Sequence, residues 1–140
     1  MADVLQVNVV AADRVVWSGE ASQVIARTSE GDTGILPNHS PLLAVLVPSG
    51  VEVFSTGGER EVVAVDGGFI SVQHNRVSIL SEYASRGEEI SLDAAEKELA
   101  EANRQLDAGD DSEETRKHYQ RAAAQVKAAQ KRQGNSGLGH

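Results

Sequence analysis

SEGDTGILPNHSPLL, residues 29–43, is the stretch that decides how the first half of this chain folds. Gly31 and Gly34 bracket Asp32, so the backbone between them can adopt the positive φ values that a side chain would penalise. The two prolines that follow restrict φ and keep the residues before them out of the helical region. The stretch therefore predicts extended structure around a tight turn, with the Asp32 carboxylate held outward at its tip.

Short apolar segments separated by turn residues lie on both sides of this stretch, between Leu5 and Leu80. At the start of the chain, apolar and polar residues alternate in the order Leu-Gln-Val-Asn-Val, as in a half-buried strand. The spacing of roughly 8 to 12 residues between segments is typical of an all-β sandwich or barrel. We therefore expect a β-sandwich of about ten short strands, with candidate strands at 5–9, 24–26, 42–47, 51–54, 62–65, 69–72 and 77–80.

After Gly87 the hydrophobic period changes to that of an amphipathic helix. Ser91 is placed to cap the start of this helix and Gly109 to end it. A second helix is expected from Ser112, with acidic residues in its first turn and basic residues in its last. The apolar seam of the first helix consists of Leu92, Ala95, Leu99, Ala102 and Leu106.

These patterns predict an α+β fold, mostly β, in which a β-sandwich precedes an antiparallel two-helix hairpin. We expect the sandwich domain over residues 1–86, the hairpin over residues 87–133 and a disordered tail over residues 134–140. The chain has no window of the roughly 20 apolar residues that a membrane-spanning helix needs, and no secretory signal at its start.

Charge is distributed unevenly along the chain. Residues 1–111 carry seven basic and nineteen acidic side chains, whereas residues 112–140 carry six basic and two acidic ones. The acidic body argues against nucleic-acid binding, which needs a broad basic surface.

On the second helix, the basic residues occupy an arc separate from the apolar arc of Tyr119, Ala122, Ala123, Val126 and Ala129. One face of this helix is therefore predicted to pack and the other to remain available. The basic residues are Arg116, Lys117, Arg121, Lys127, Lys131 and Arg132.

Enzymatic signatures are sparse. The tripeptide at Asp32 is that of aspartic proteases, and a homodimeric β-rich protease using Asp32 is the alternative interpretation, although the polar residues before it are unlike the apolar strand such enzymes use. The chain has no phosphate-binding Gly-x-x-x-x-Gly-Lys-Ser/Thr loop, no cysteine and no histidines at metal-ligand spacing. We therefore expect no catalytic residues, no metal and no cofactor.

Three segments carry a resemblance to a known family. Residues 29–43 resemble the signature of the epsilon subunit of F-type ATP synthases, equivalent to mitochondrial delta. Residues 7–21 resemble the family's first strands, and Val65-Asp66-Gly67-Gly68-Phe69-Ile70 resembles its Gly-Gly strand turn. The resemblance covers nearly the whole chain. It implies a non-catalytic rotor subunit of the central stalk, peripheral to the cytoplasmic face of a bacterial plasma membrane, that couples rotation between the gamma subunit and the c ring.

The resemblance also implies contact residues. The c ring would meet Glu30, Gly31 and Asp32, and the gamma subunit would meet His39, Pro41, Leu42 and Leu43. When the hairpin extends, the basic face would meet an acidic loop of the catalytic β subunits and inhibit ATP hydrolysis through Arg116, Lys117, Arg121 and Lys127.

One motif departs from the family. Nucleotide-sensing relatives open the first helix with Ile/Leu-Asp-x-x-Arg-Ala, whose arginine binds ATP phosphates. This chain has Leu92-Asp93-Ala94-Ala95-Glu96-Lys97, with Glu96 at the arginine position. Because a carboxylate repels phosphate, we expect no nucleotide site.

Overall fold

Nine strands and two α-helices make up residues 3–134, the part of the chain that the computed structural model describes. The fold class predicted from the sequence is confirmed. The nine strands agree with the expected count of about ten, and residues 15–28 form one long strand. They are β1 (Leu5–Val10), β2 (Val15–Thr28), β3 (Gly31–Ile35), β4 (Leu42–Leu46), β5 (Ser49–Ser55), β6 (Arg60–Val65), β7 (Gly68–Gln73), β8 (Arg76–Leu80) and β9 (Ala84–Arg86).

The long strand β2 is shared by the two layers of the sandwich. Its first half pairs with β1, from Leu5 opposite Ala21 to Val10 opposite Val15, in a layer ordered β4-β7-β8-β1-β2. Its second half pairs with β3 and β5, in a layer ordered β9-β6-β5-β2-β3. The strand pairs are antiparallel except β1 and β8, which run parallel.

The space between the two layers is filled by the inward face of each strand. On β1, Leu5, Val7 and Val9 are fully buried while the residues between them are exposed, as the alternation predicts. Burying a side chain of this size stabilises the fold by about 1.5–3 kcal/mol. The core also includes Val24, Ile35, Val51, Val53, Val63, Val65, Ile70, Val72, Val77 and Ile79.

The turn within residues 29–43 lies earlier than the sequence predicts. Strand β2 continues to Thr28, whose hydroxyl donates to the Gly31 carbonyl at 2.9 Å and accepts from the Glu30 amide at 3.1 Å. Gly31 adopts φ +116°, the conformation that favours glycine, whereas Gly34 lies within β3 without a positive φ. The prediction that Asp32 stands at the turn tip is therefore wrong, because the tip is Ser29–Glu30 and Asp32 belongs to the strand.

The helical hairpin begins and ends where its local signals predict. After a 3-10 turn at Gly87–Glu89, helix α1 spans Leu92–Asp107 and α2 spans Glu113–Gln133. The hydroxyls of the two predicted capping serines each accept a backbone N–H, from Ala94 and Thr115 respectively, at 3.3 Å. Helix α2 packs on α1 and also on β5 and β6.

Two further expectations concern the limits of the elements. The division into domains at residues 86 and 133 stays a prediction, and the predicted tail lies outside the described residues apart from Gly134. Among the helices of residues 3–134, none has the length and apolarity needed to cross a membrane.

Candidate interaction surfaces

The β2–β3 hairpin carries the residues predicted to meet the c ring. Glu30 is exposed at the tip, but Asp32 is already paired across the hairpin with Arg27. The guanidinium contacts the carboxylate through two atoms, with Nε to Oδ1 at 2.8 Å and Nη2 to Oδ2 at 3.1 Å. This hydrogen bonding from Arg27 lowers the pKa of Asp32. The hairpin therefore offers one unshared carboxylate, on Glu30, and one neutralised pair.

The residues predicted to meet the gamma subunit differ in accessibility. Pro41 is exposed and Leu43 is 74% exposed, whereas Leu42 packs against the core. His39 is half-buried, with its Nδ1 2.6 Å from the carbonyl of Ser40. Pro41 and Leu43 are therefore the members of this set that a partner could reach.

A row of exposed apolar side chains begins two residues after Leu43 and was missed by sequence reasoning. Val45 lies opposite Phe69, and Phe69 opposite Leu80, on three adjacent strands. The row continues through Val10 to Val15. Cross-strand partners share one face of a sheet, so these side chains form one surface.

This apolar row (Val45, Phe69, Leu80, Val10, Val15) is unusual because its large side chains face solvent. Val45, Phe69, Leu80 and Val15 are 49%, 52%, 53% and 60% exposed. A cavity of about 460 Å³ adjoins the row, lined by Val10, Ala11, Ala12, Gly68, Phe69, Leu80, Ser81 and Glu82. A contiguous exposed apolar surface is typical of a protein interface. The sequences of these strands could have revealed the apolar row. Apolar residues occupy both alternating sets of positions, and one of the two sets must face outward.

The basic side chains of α2 lie along the β-sandwich. Arg121 donates from Nε to Asp66 at 3.2 Å, and Lys127 donates to the Pro48 carbonyl at 3.2 Å. The Lys131 ammonium group donates to the Gly50 carbonyl at 3.0 Å. The prediction that this face is available is therefore wrong for Arg121 and Lys131, which the sandwich provides with acceptors. Lys117 lies 3.7 Å from Glu82, while Arg116, Lys127 and Arg132 are exposed.

A second apolar face of α2 explains this orientation. Ala124 and Ala128 are fully buried against Val62 and Ala64 of strand β6. At Gly50, an added Cβ would lie 2.9 Å from the Cα of Ala128, so only glycine permits this approach. Sequence reasoning assigned the helix one packing face, towards α1, and alanine is too common on helix surfaces to mark a second.

A buried ion cluster lies at the C-terminal end of α2. The carboxylate of Glu52, fully buried on β5, accepts from Arg60 Nε at 2.9 Å and lies 3.8 Å from Lys131 Nζ. Arg60 also donates to the main-chain carbonyl of Lys131 at 2.7 Å. Burial lowers the pKa of Lys131, and the charge of Glu52 opposes that shift. The cluster thereby ties the helix end to the sandwich.

The chemistry of other candidate sites is limited. Asp32 is paired with arginine on an exposed hairpin, whereas an aspartic protease needs two carboxylates sharing one proton in a shielded site. Glu96 is exposed on α1. Within residues 3–134, no group of three or more His, Asp or Glu side chains is arranged to hold a metal ion.

Comparisons with known proteins agree on one family. A family model described as "ATP synthase, Delta/Epsilon chain, beta-sandwich domain" matches residues 4–87 of this chain. The ATP synthase epsilon chain of Cutibacterium acnes is 46% identical over 79% of this chain and 76% of its own. That of Streptomyces avermitilis is 50% identical over 77% of this chain and 87% of its own.

Solved structures share the fold. A chain of the Euglena gracilis mitochondrial ATP synthase, OSCP/F1/c-ring, superposes with a TM-score of 0.74 at 23% identity, covering 96% of this chain and 84% of that one. A chain of the Tetrahymena thermophila mitochondrial ATP synthase, central stalk and c ring, gives a TM-score of 0.56 at 16% identity, covering 93% of this chain and 96% of that one.

Proposed function

The chain belongs to the delta/epsilon family of ATP synthase chains, and on this premise we propose that it couples rotation between the gamma subunit and the c ring of an F-type, proton-translocating enzyme. Members of this family are non-catalytic stalk subunits, so its role is mechanical and regulatory. As a subunit of this membrane-associated enzyme, it would sit peripherally on the cytoplasmic face of a bacterial plasma membrane.

The observation that carries this proposal is the apolar row. Its large exposed side chains would be costly to leave in water, and a permanent partner would remove them from it. We assign this surface to the gamma subunit, because the exposed residues Pro41 and Leu43, implied by the family resemblance to meet gamma, lie at its edge. In the same segment, Leu42 packs against the core and His39 is half-buried.

The β2–β3 hairpin suits the c ring. Glu30 is exposed at a tip shaped by the positive φ of Gly31, so it can approach a polar loop without rearrangement of the backbone. Asp32 and its partner Arg27 present a carboxylate and a guanidinium side by side. Such a surface is more complementary to a partner that carries both positive and negative groups than to a partner whose charges all have the same sign.

The helical hairpin would act as a brake on ATP hydrolysis by the catalytic β subunits. Support comes from the cluster of six basic residues in the last 29 of the chain, against an otherwise acidic body. The brake would operate without nucleotide bound to this subunit, since Glu96 replaces the phosphate-binding arginine of the family motif.

Gamma binding tests the assignment directly. The double variant Val45→Ser/Phe69→Ser should retain its melting temperature but lose co-purification with gamma, and the reconstituted enzyme should lose coupled ATP synthesis. Lys97→Ser, an exposed change on α1, is the control and should bind normally. Unchanged gamma binding by the double variant would contradict the proposal.

A further inference from the structure

A cavity of about 580 Å³ lies along α2, where the two helices and the sandwich meet. Leu99 of α1 contributes to its lining, Val47 and Pro48 contribute from the link between β4 and β5, and α2 contributes the remainder. The apolar row and the β2–β3 hairpin contribute no residue to it. Its volume lies within the range of small-molecule sites, about 300–1,000 Å³.

The α2 residues of this cavity share one side of the helix. At 100° per residue, five of them fall within an arc of about 80°, namely Arg116, Gln120, Ala123, Lys127 and Gln130. Arg116 and Lys127 are eleven residues apart, which corresponds to about 16 Å along the helix axis. The cavity is therefore an elongated groove beside α2, with a cation towards each end; we call it the α2 groove.

The middle of the α2 groove is apolar. Ala123 and Val126 are buried side chains of its lining, and Leu99 and Tyr119 are half-buried. Because Ala123 is small and lies between the two cations in the sequence, it leaves room there for a ligand. An apolar body in this space would cover these side chains, which favours binding in proportion to the area removed from water.

The charged side chains of the lining are both cations. Arg116 is exposed, and its side chain forms no hydrogen bond or ion pair within residues 3–134. Lys127 donates to the Pro48 carbonyl at 3.2 Å, a neutral acceptor that leaves the ammonium charge uncompensated. No carboxylate belongs to the lining, although the chain carries a formal net charge of -8. The groove is therefore a locally positive site that favours an anion.

We propose that the α2 groove binds an amphipathic anion of the fatty-acid class. The alkyl chain lies over Ala123 and Val126, and the carboxylate pairs with Arg116 or Lys127. A single small molecule suits this space better than a protein partner, because a stable protein interface buries about 800 Å² on each side. The inference goes beyond the proposed function and does not depend on it.

Titration of the full-length chain with dodecanoate, kept below its micelle concentration, tests the proposal. We expect saturable binding of one molecule with a dissociation constant of about 0.1–1 mM, as is typical of a ligand of this size. The NMR amide shifts should be largest around Ala123 and Val126. Dodecyltrimethylammonium has the same chain and the opposite charge, so it should bind at least about ten-fold more weakly. Acetate, which lacks the chain, should not bind at these concentrations.

Charge variants locate the carboxylate. Arg116→Gln/Lys127→Gln should weaken dodecanoate binding about ten-fold, the combined effect expected of two exposed ion pairs. Lys97→Gln/Arg132→Gln is the matched control, because it removes two exposed cations that do not line the groove. The control should retain the affinity of the unmodified chain.

Two further variants test the position of the alkyl chain. Ala123→Leu fills the middle of the groove and leaves every charge in place, so it should abolish binding. Gln120→Glu places a carboxylate on an exposed position of the lining and should weaken binding without lowering the melting temperature.

The outcomes separate a built site from general attraction to a cationic surface. Weaker binding by the groove variants, with the control unchanged, supports the proposal. Equal losses in the two double variants would contradict it, as would equal binding of dodecyltrimethylammonium. The proposal is also overturned by amide shifts confined to residues outside the groove, or by the lack of saturable binding up to the micelle concentration.

Discussion

The two outer faces of the β-sandwich are built from different kinds of side chain. The β4-β7-β8-β1 face exposes bulky apolar groups such as Phe69 and Leu80, with no segment of residues 3–134 covering them. The β5-β6 face carries Gly50 and Ala64 and is covered by α2. Bulky apolar groups bury a large area, so they favour a permanent contact with a partner. The small groups under α2 bury less area, so hydrophobic burial contributes less to the contact between α2 and the sandwich.

The largest effect is expected from a charged side chain on the uncovered apolar face. Phe69→Asp should weaken gamma binding at least about 100-fold, as expected for an aromatic anchor at the centre of an interface. The free energy of unfolding should change by less than about 1 kcal/mol, because the side chain already faces water. Thr56→Asp, in the exposed turn after β5, should leave gamma binding unchanged. Titration calorimetry and urea unfolding give both quantities.

Removing charge from the covered face should have a smaller but still large effect. Glu52→Gln leaves Arg60 and Lys131 near the sandwich without their buried carboxylate, so the chain should lose about 2–3 kcal/mol of stability against urea. Glu52→Gln/Lys131→Met removes the cation as well and should recover part of that loss. Equal stability of the single and double variants would mean that Lys131 is not coupled to Glu52.

Acid pH should expose the modest contribution of the ion pair in the β2–β3 hairpin. Hydrogen bonding from Arg27 lowers the pKa of Asp32 below its ordinary 3.8, so the pair stabilises the fold above that value and is lost as pH falls through the lower, folded-state pKa. Asp32→Asn should therefore cost less than about 1 kcal/mol at pH 7, since Arg27 is half exposed. Once the pH lies below the folded-state pKa of Asp32, the two chains should unfold alike, because both are then uncharged at this position.

The smallest expected effect is that of nucleotide on the docked helix. Magnesium ATP at millimolar concentration should change neither the melting temperature nor the exchange of α2 amides, because Glu96 places a negative charge where the family motif binds phosphate. Glu96→Arg should create measurable binding by calorimetry. Stabilisation of the unmodified chain by ATP would show that a different set of donors holds the phosphates.

Local signals in the sequence determined much of this molecule. The helix limits follow from capping residues that act within one turn, namely Ser91, Ser112 and Gly109, and each acts where predicted. The alternation of Leu5, Val7 and Val9 predicts the inward face of β1 because successive side chains of a strand point to opposite sides. The resemblance carried by residues 29–43 also led to the correct family.

How these elements face one another depends on contacts between residues that are distant in the sequence. Two glycines could each have formed the turn, and the pairing of Arg27 with Asp32 across the hairpin places it at Ser29–Glu30, directly before Gly31. In strands that are apolar at both alternating sets of positions, the place of the strand in the sandwich decides which set faces solvent. The exposed sets of neighbouring strands form the apolar row. Arg121 and Lys131 of α2 point towards the sandwich because Asp66 and Glu52, distant in sequence, lie beneath them. Register and docking depend on contacts between remote residues, and no local pattern carries that information.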